Sequence, residues 1–139
     1  TRLRISWIPD GARPFVDDAM IERAYRCVEE TKACVAGMPV KDTIKVVDEK
    51  NYVKGTPERK TLWLVQTPQV FDAGLLKAAL QSALTEHAAL TDDCSAVERL
   101  GKAVYLTDGD EENIKITTPL DLIVAETILR RREEREAEE

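Results

Sequence analysis

Leu62-Trp-Leu-Val-Gln66, then Thr67-Pro68-Gln69-Val70-Phe71, then Asp72-Ala-Gly-Leu-Leu-Lys-Ala-Ala-Leu-Gln-Ser-Ala-Leu84, is the stretch on which the fold turns. Leu62 to Gln66 is strand-like and is expected to end at Thr67-Pro68. Asp72 offers a carboxylate to cap a helix, within which Leu75, Leu76, Ala79, Leu80, Ala83 and Leu84 recur at helical spacing. A strand running into an amphipathic helix is the unit of an α/β chain.

The same alternation extends to both sides. Upstream, residues 3–8 alternate as a strand. Asp17 then caps a helix through about Lys32, with Met20, Ile21, Ala24, Cys27 and Val28 on one stripe. Ala33 to Val40 reads as a strand whose exit is broken by Gly37 and Pro39. Thr43 to Val47, the turn Asp48-Glu49-Lys50-Asn51 and Tyr52-Val53-Lys54 read as an extended hairpin with polar faces, an arm over about residues 40–60. Downstream, Thr91 is expected to cap a short helix stopped by Gly101. Val104–Leu106 and Ile114–Ile116 are expected as short strands. Thr118, Pro119 and Asp121 open a last helix, whose charged end over residues 130–139 is expected to be a solvated, fraying tail. The expected architecture is a single α/β domain over residues 1–139, with a mainly parallel sheet and a projecting β-arm.

Composition narrows the function. The chain has 139 residues, 43% hydrophobic and 33% charged, ordinary for a globular protein. A net charge of −6 argues against a nucleic-acid surface. No apolar run reaches the length of a membrane span. The three cysteines, Cys27, Cys34 and Cys94, have no metal-ligand spacing and read as reduced thiols of a cytoplasmic protein. The single histidine, His87, reads as a helix-end residue.

Ligands of parallel α/β sheets gather at the carboxyl ends of strands, where Asp10, Arg13 and Lys115 are expected to fall. Together they fit a phosphate-bearing ligand. In a transfer where a phosphate monoester attacks a nucleoside triphosphate, the nucleophile is already anionic, its second pKa being about 6. Catalysis then rests on positioning and on cations facing the developing charge. Lys115 is the best cationic clamp, or else a surface lysine. Arg13 is a phosphate fork or the partner of an acid. Asp10 is an acceptor for substrate hydroxyls, a metal ligand, or a turn-former before Gly11. Arg59 stands in a charged cluster with no role fixed by composition. Thr67 and Thr91 are caps first and ligands second, and Asp92-Asp93 is either a metal pair or a favoured helix start. The residues by themselves describe a phosphate-handling α/β domain.

In order, Asp10-Gly-Ala-Arg-Pro-Phe15, Pro39-Val-Lys-Asp-Thr-Ile-Lys45, Leu62-Trp-Leu-Val-Gln-Thr-Pro-Gln-Val-Phe71, Thr91-Asp-Asp-Cys-Ser-Ala-Val-Glu98 and Asn113-Ile-Lys-Ile-Thr-Thr-Pro-Leu-Asp-Leu122 resemble the methylerythritol phosphate cytidylyltransferases of non-mevalonate isoprenoid biosynthesis. The resemblance implies a Rossmann-like nucleotide-diphospho-sugar transferase fold. It also implies transfer of a cytidylyl group from CTP to methylerythritol phosphate with release of pyrophosphate, and a magnesium ion held mainly by CTP phosphates. By the same resemblance, Asp10, Arg13, Thr91 and Thr67 bind substrate. Lys115 and Arg59 are catalytic, Arg59 reaching the neighbour's substrate in a homodimer joined through the arm. Two departures stand out. Pro9 replaces the family's usual histidine, and the glycine-rich CTP loop of the family has no counterpart among the six scattered glycines. A chain without that loop is expected to be an incomplete fold that keeps the sugar-phosphate half. The alternatives are a ribitol phosphate cytidylyltransferase, which Leu62-Trp63 and the Thr91–Glu98 stretch disfavour, and a non-catalytic dimerisation fragment.

Overall fold

Residues 5–139 are described in the computed structural model, so Leu3 and Arg4 of the expected first strand lie outside the described residues. The elements are β1 (Ile5–Ile8), α1 (Asp18–Thr31), β2 (Ala33–Pro39), β3 (Val46–Val47), β4 (Val53–Gly55), a 3-10 turn (Arg59–Thr61), β5 (Trp63–Asp72), α2 (Ala73–Thr85), α3 (Asp93–Arg99), β6 (Tyr105–Asp108) and α4 (Pro119–Glu138).

Local chemistry sets the helix starts. Asp17 accepts the Met20 N–H at 2.9 Å, and Asp72 accepts the Leu75 N–H at 3.0 Å. Thr118 and Asp121 form a reciprocal capping box with Pro119 in the first turn. At the other end of α1, Lys32 adopts φ 66° and donates its N–H to Val28 O. His87 lies just past α2 with φ 52°.

The main sheet has the order β1-β5-β2-β6. β5 is antiparallel to β1 and to β2, and β2 is parallel to β6. β1, β2 and β6 therefore share one direction and β5 opposes them. The reversal follows from the connection: β2 to β5 runs through the arm with no crossover helix, so the chain returns antiparallel. Alternation along β2 and β5 then divides the core. Ala33, Val35 and Phe71 face α2 and α3, packing on Leu76, Ala79, Ala96 and Val97. Cys34 and Val70 face the opposite side and pack on Ala24 and Val28 of α1. Helices thus cover both faces, as α/β layering requires.

Four expectations change. Thr67-Pro68 does not end a strand: β5 continues to Asp72, and Pro68 is buried inside it. Proline cannot donate to a ladder, but the pairing skips here, from Val35–Gln69 to Gly37–Val65, so the lost donor falls in a bulge. The cap of α3 is Asp92, which accepts the Ser95 N–H at 2.8 Å; Thr91 lies one residue earlier. Ile114–Ile116 forms no strand. It is extended chain held by Ile116 N–H to Ala12 O at 2.8 Å, and its isoleucines pack on Phe15, Ala125 and Ile128. Finally, the charged run expected to fray is helical to Glu138.

Glu112 explains why that run stays helical. Arg132 and Arg135 both contact its carboxylate, at 3.3 and 3.1 Å, while Arg132 also donates to Phe15 O at 2.9 Å and sits 5.1 Å over the Phe15 ring. Burial pushes the Glu112 carboxyl up, but hydrogen bonds from Arg135 and Arg132 outweigh it and hold the group below its ordinary value. A depressed carboxyl stabilises the fold above its unfolded pKa, and that contribution is lost as pH falls through the folded value. Glu112→Gln is therefore expected to lower the melting midpoint at neutral pH and to match wild type in acid. Melting of both proteins across the acid range checks this; a constant difference at every pH would contradict it.

Candidate functional site

Because β1, β2 and β6 share a direction, their carboxyl ends open on one side of the sheet. Asp10 follows β1 there. Its Oδ1 accepts the Ala12 N–H at 2.9 Å, and the Arg13 N–H reaches Asp10 O at 3.0 Å. Asp10 is thus the turn-former its sequence allows, with Oδ2 left facing Lys115 Nζ at 4.0 Å. Pro9 falls one residue past β1, where its lack of an N–H interrupts none of the β1–β5 pairs.

An open cleft of about 480 Å³ occupies this end, walled by Ile8, Pro9, Asp10, Gly11, Thr67, Gln69, Leu90, Thr91, Asp92 and Asp93. The structure therefore brings Asp10, Thr67 and Thr91 to one cavity, with Lys115 beside it through Asp10. The polar groups of the wall are the carboxylates of Asp10, Asp92 and Asp93, the hydroxyls of Thr67 and Thr91 and the Gln69 amide, a donor and acceptor set suited to a polyol. The cation stands at the rim.

Arg13 supports this wall from behind. Its Nη1 donates to Asn113 O at 2.7 Å. Burial lowers its pKa and the charge of Asp10 opposes that shift; the guanidinium remains a cation at neutral pH. Arg59 stands apart. It is exposed, opens the 3-10 turn after the arm, donates to Lys41 O at 2.8 Å, and is not part of the cleft wall.

Three glutamine and asparagine side chains carry the architecture, and no local pattern assigns them. Gln69, buried in β5, donates to Asp92 Oδ2 at 3.1 Å and accepts the Cys94 N–H at 3.2 Å, fixing the start of α3 against the sheet. Gln66 and Asn113 join the β5 bulge to the loop after β6. Gly109 is required beneath them, since a Cβ there would collide with the Gln66 carboxamide and lie 3.0 Å from Gly37 O.

Asp92, Cys94 and Glu98 place one ligand atom each within 4.8 Å of one another. Magnesium prefers oxygen donors. Cys94 is a neutral thiol, pushed up to about 12 by burial and by the charges of Glu98 and Asp92. Asp92 already accepts from Ser95 and Gln69. The set does not suit a resident magnesium ion. Cys34 is likewise pushed up to about 12, chiefly by burial, so neither buried thiol is a nucleophile at neutral pH. Among the described residues, no helix is long and apolar enough to cross a membrane.

Comparison with known proteins places this geometry. Residues 3–131 match the family model described as IspD, 2-C-methyl-D-erythritol 4-phosphate cytidylyltransferase. The chain is 52% identical over 124 residues to the enzyme of that name from Caldanaerobacter subterraneus, covering 89% of this chain and 55% of that protein. It is 48% identical over 122 residues to that of Clostridioides difficile, covering 88% and 51%. The crystal structure of the Thermus thermophilus cytidylyltransferase superposes with a TM-score of 0.82 at 34% identity, over 93% of this chain and 63% of that one. That of 4-diphosphocytidyl-2C-methyl-D-erythritol synthase from Anaerococcus prevotii gives 0.84 at 33% identity, over 91% and 58%. The chain spans about half the length of the curated relatives it matches. With matching sequence and fold, the chain belongs to the 2-C-methyl-D-erythritol 4-phosphate cytidylyltransferase family.

Proposed function

We propose that the cleft binds the polyol phosphate of a cytidylyl transfer from CTP to methylerythritol phosphate. The observation that carries this reading is the meeting of Asp10, Thr67 and Thr91 on one cavity wall with Lys115 4.0 Å from Asp10. Asp10 and Thr91 take the hydroxyls, Lys115 faces the phosphate, and Arg13 holds the wall behind them. A substrate phosphate oxygen then attacks the α-phosphorus of CTP. The new P–O bond forms as the bond to pyrophosphate breaks, and no protein base is needed because the monoester is already dianionic. Lys115 stabilises the charge that builds on the equatorial oxygens. A magnesium ion held by the phosphates of CTP would supply further charge neutralisation.

The arm gives the proposed homodimer its surface. β3 and β4 pair only with each other, and Val46, Val47, Tyr52 and Val53 are exposed, Tyr52 at 71%. Two copies docking these apolar faces would bring Arg59 to the neighbour's cleft, a reading supported by its standing outside its own cleft wall.

The test is pyrophosphate release from CTP, methylerythritol phosphate and magnesium, with the chain's sedimentation measured in parallel. Release above background and a dimer are expected of a complete site. A folded chain that binds methylerythritol phosphate without turnover would keep the polyol half of the proposal and remove the catalytic half. No saturable binding would end both.

A further inference from the structure

Asn113 has no exposed surface, and its side chain and main-chain carbonyl together hold three chain segments. Its Nδ2 donates to Thr67 O at 2.8 Å and to Gln66 Oε1 at 3.1 Å, both on the β5 bulge. Its main-chain carbonyl takes Arg13 Nη1 at 2.7 Å, anchoring the segment that carries Asp10. Two residues later the same loop delivers Lys115. Gln66 closes the arrangement, donating to Asp110 O at 3.0 Å and accepting the Asp110 N–H at 3.3 Å.

Unused hydrogen-bonding capacity concentrates here. Among the described residues, the buried side-chain polar atoms without a partner are Arg13 Nε, Thr67 Oγ1 and Asn113 Oδ1. All three belong to this one network. Buried polar atoms are ordinarily satisfied, so orphans gathered behind a cleft wall call for a functional explanation. A packing role alone would be served by an apolar side chain, with no donors to satisfy. The bulge supplies the reason for an amide instead. It takes Thr67 out of the β2–β5 register, and the Asn113 amide, arriving from the 110–117 loop, pairs its carbonyl.

We propose that Asn113 is a positioning residue of the cleft, fixing Thr67 and the Arg13 segment relative to Asp10 and Lys115 so that Lys115 meets the phosphate and Asp10 the hydroxyls of the polyol substrate. This rests on the reading of the cleft as a polyol-phosphate site. Asn113 touches no substrate and acts through Arg13 and Thr67.

The experiment is calorimetric titration of the chain with methylerythritol phosphate, beside melting curves for every variant. Asn113→Ala is expected to weaken binding by about tenfold, the scale of one buried hydrogen bond. Asn113→Asp keeps the volume but loses both donated bonds, and is expected to weaken binding as well should the alanine variant not fold. In a Gln66→Ala background, which already removes one partner of the Asn113 amide, Asn113→Ala is expected to add less than it does alone, because residues acting through one another are not additive. A residue with only a structural role would lower the melting midpoint and leave the affinity of the folded protein unchanged. That outcome, or full additivity with Gln66→Ala, overturns the proposal for Asn113 alone. A wild-type chain that melts cooperatively yet binds no methylerythritol phosphate overturns the polyol reading itself, and the role of Asn113 with it.

Discussion

For the cytidylyl transfer proposed above, in a complete enzyme, Lys115→Ala is expected to lower turnover by about 10²–10³-fold, the usual cost of removing one preorganised charge from a transition state. Affinity for methylerythritol phosphate is expected to change far less. The distinction follows from where charge develops. In the ground state the nucleophilic phosphate and the α-phosphate carry their full charge already, and several groups share its neutralisation. During transfer, charge redistributes over the equatorial oxygens and the leaving pyrophosphate, and only a group placed for that moment speeds the reaction. Lys115 is half-exposed and lies 4.0 Å from Asp10, itself on the cleft wall. A pair so exposed contributes little to stability, so the variant is expected to melt close to wild type. Steady-state kinetics with both substrates varied provides the check. Undiminished turnover would remove Lys115 from the mechanism, whereas a rise in the Michaelis constant alone would make it a binding residue.

Local chemistry was the legible part of this fold. The caps at Asp17, Asp72 and Thr118 act within three residues of their targets, so the sequence carries the whole interaction. Gly101, at φ 74°, is found just past α3, where a residue without a Cβ is favoured. Competition between neighbours was less legible. Thr91 and Asp92 are both good caps, and Asp92 takes the position because its carboxylate serves the N–H and hydroxyl of Ser95 together. Thr91, bonded through its hydroxyl to Ser95 at 2.8 Å, is left on the cleft wall. Pro68 misled for a similar reason. A proline argues against a continuing strand unless a bulge absorbs it, and the bulge depends on β2, about thirty residues upstream.

The candidate site divides along the same line. Asp10, Thr67 and Thr91 carry no local signal that distinguishes a ligand from a cap or turn, and their order in the chain, through family resemblance, is what joined them. The structure then set them on one wall. Gln66 and Asn113 escaped even that reading, because their meeting spans 47 positions and depends on a bulge. Arg59 shows the converse: the resemblance alone gives it a role, and among the described residues its side chain donates to Lys41 O.

That separation leads to the second large effect expected. If Arg59 serves the neighbouring cleft, Arg59→Ala and Lys115→Ala chains should each be nearly inactive alone and recover activity when mixed. In a two-fold dimer, a site formed by Lys115 of the first variant and Arg59 of the second is intact, while its companion lacks both. Equal mixing with free exchange makes half the dimers heterologous, each with one working site in two, so about a quarter of wild-type activity should return. Unfolding and refolding the mixture, or mixing below the dissociation concentration, allows the exchange. Recovery should also depend on the arm: Tyr52→Ser or Val53→Ser, removing apolar area from the exposed hairpin, should suppress complementation and dimerisation together. If Arg59 worked within its own chain, no mixture could rebuild a site, since every cleft would carry one of the two lesions. A mixture that stays inactive while sedimenting as a dimer would therefore confine Arg59 to its own chain. The measurement is most informative in the longer relatives as well as in this chain, because complementation asks only which cleft the arginine serves.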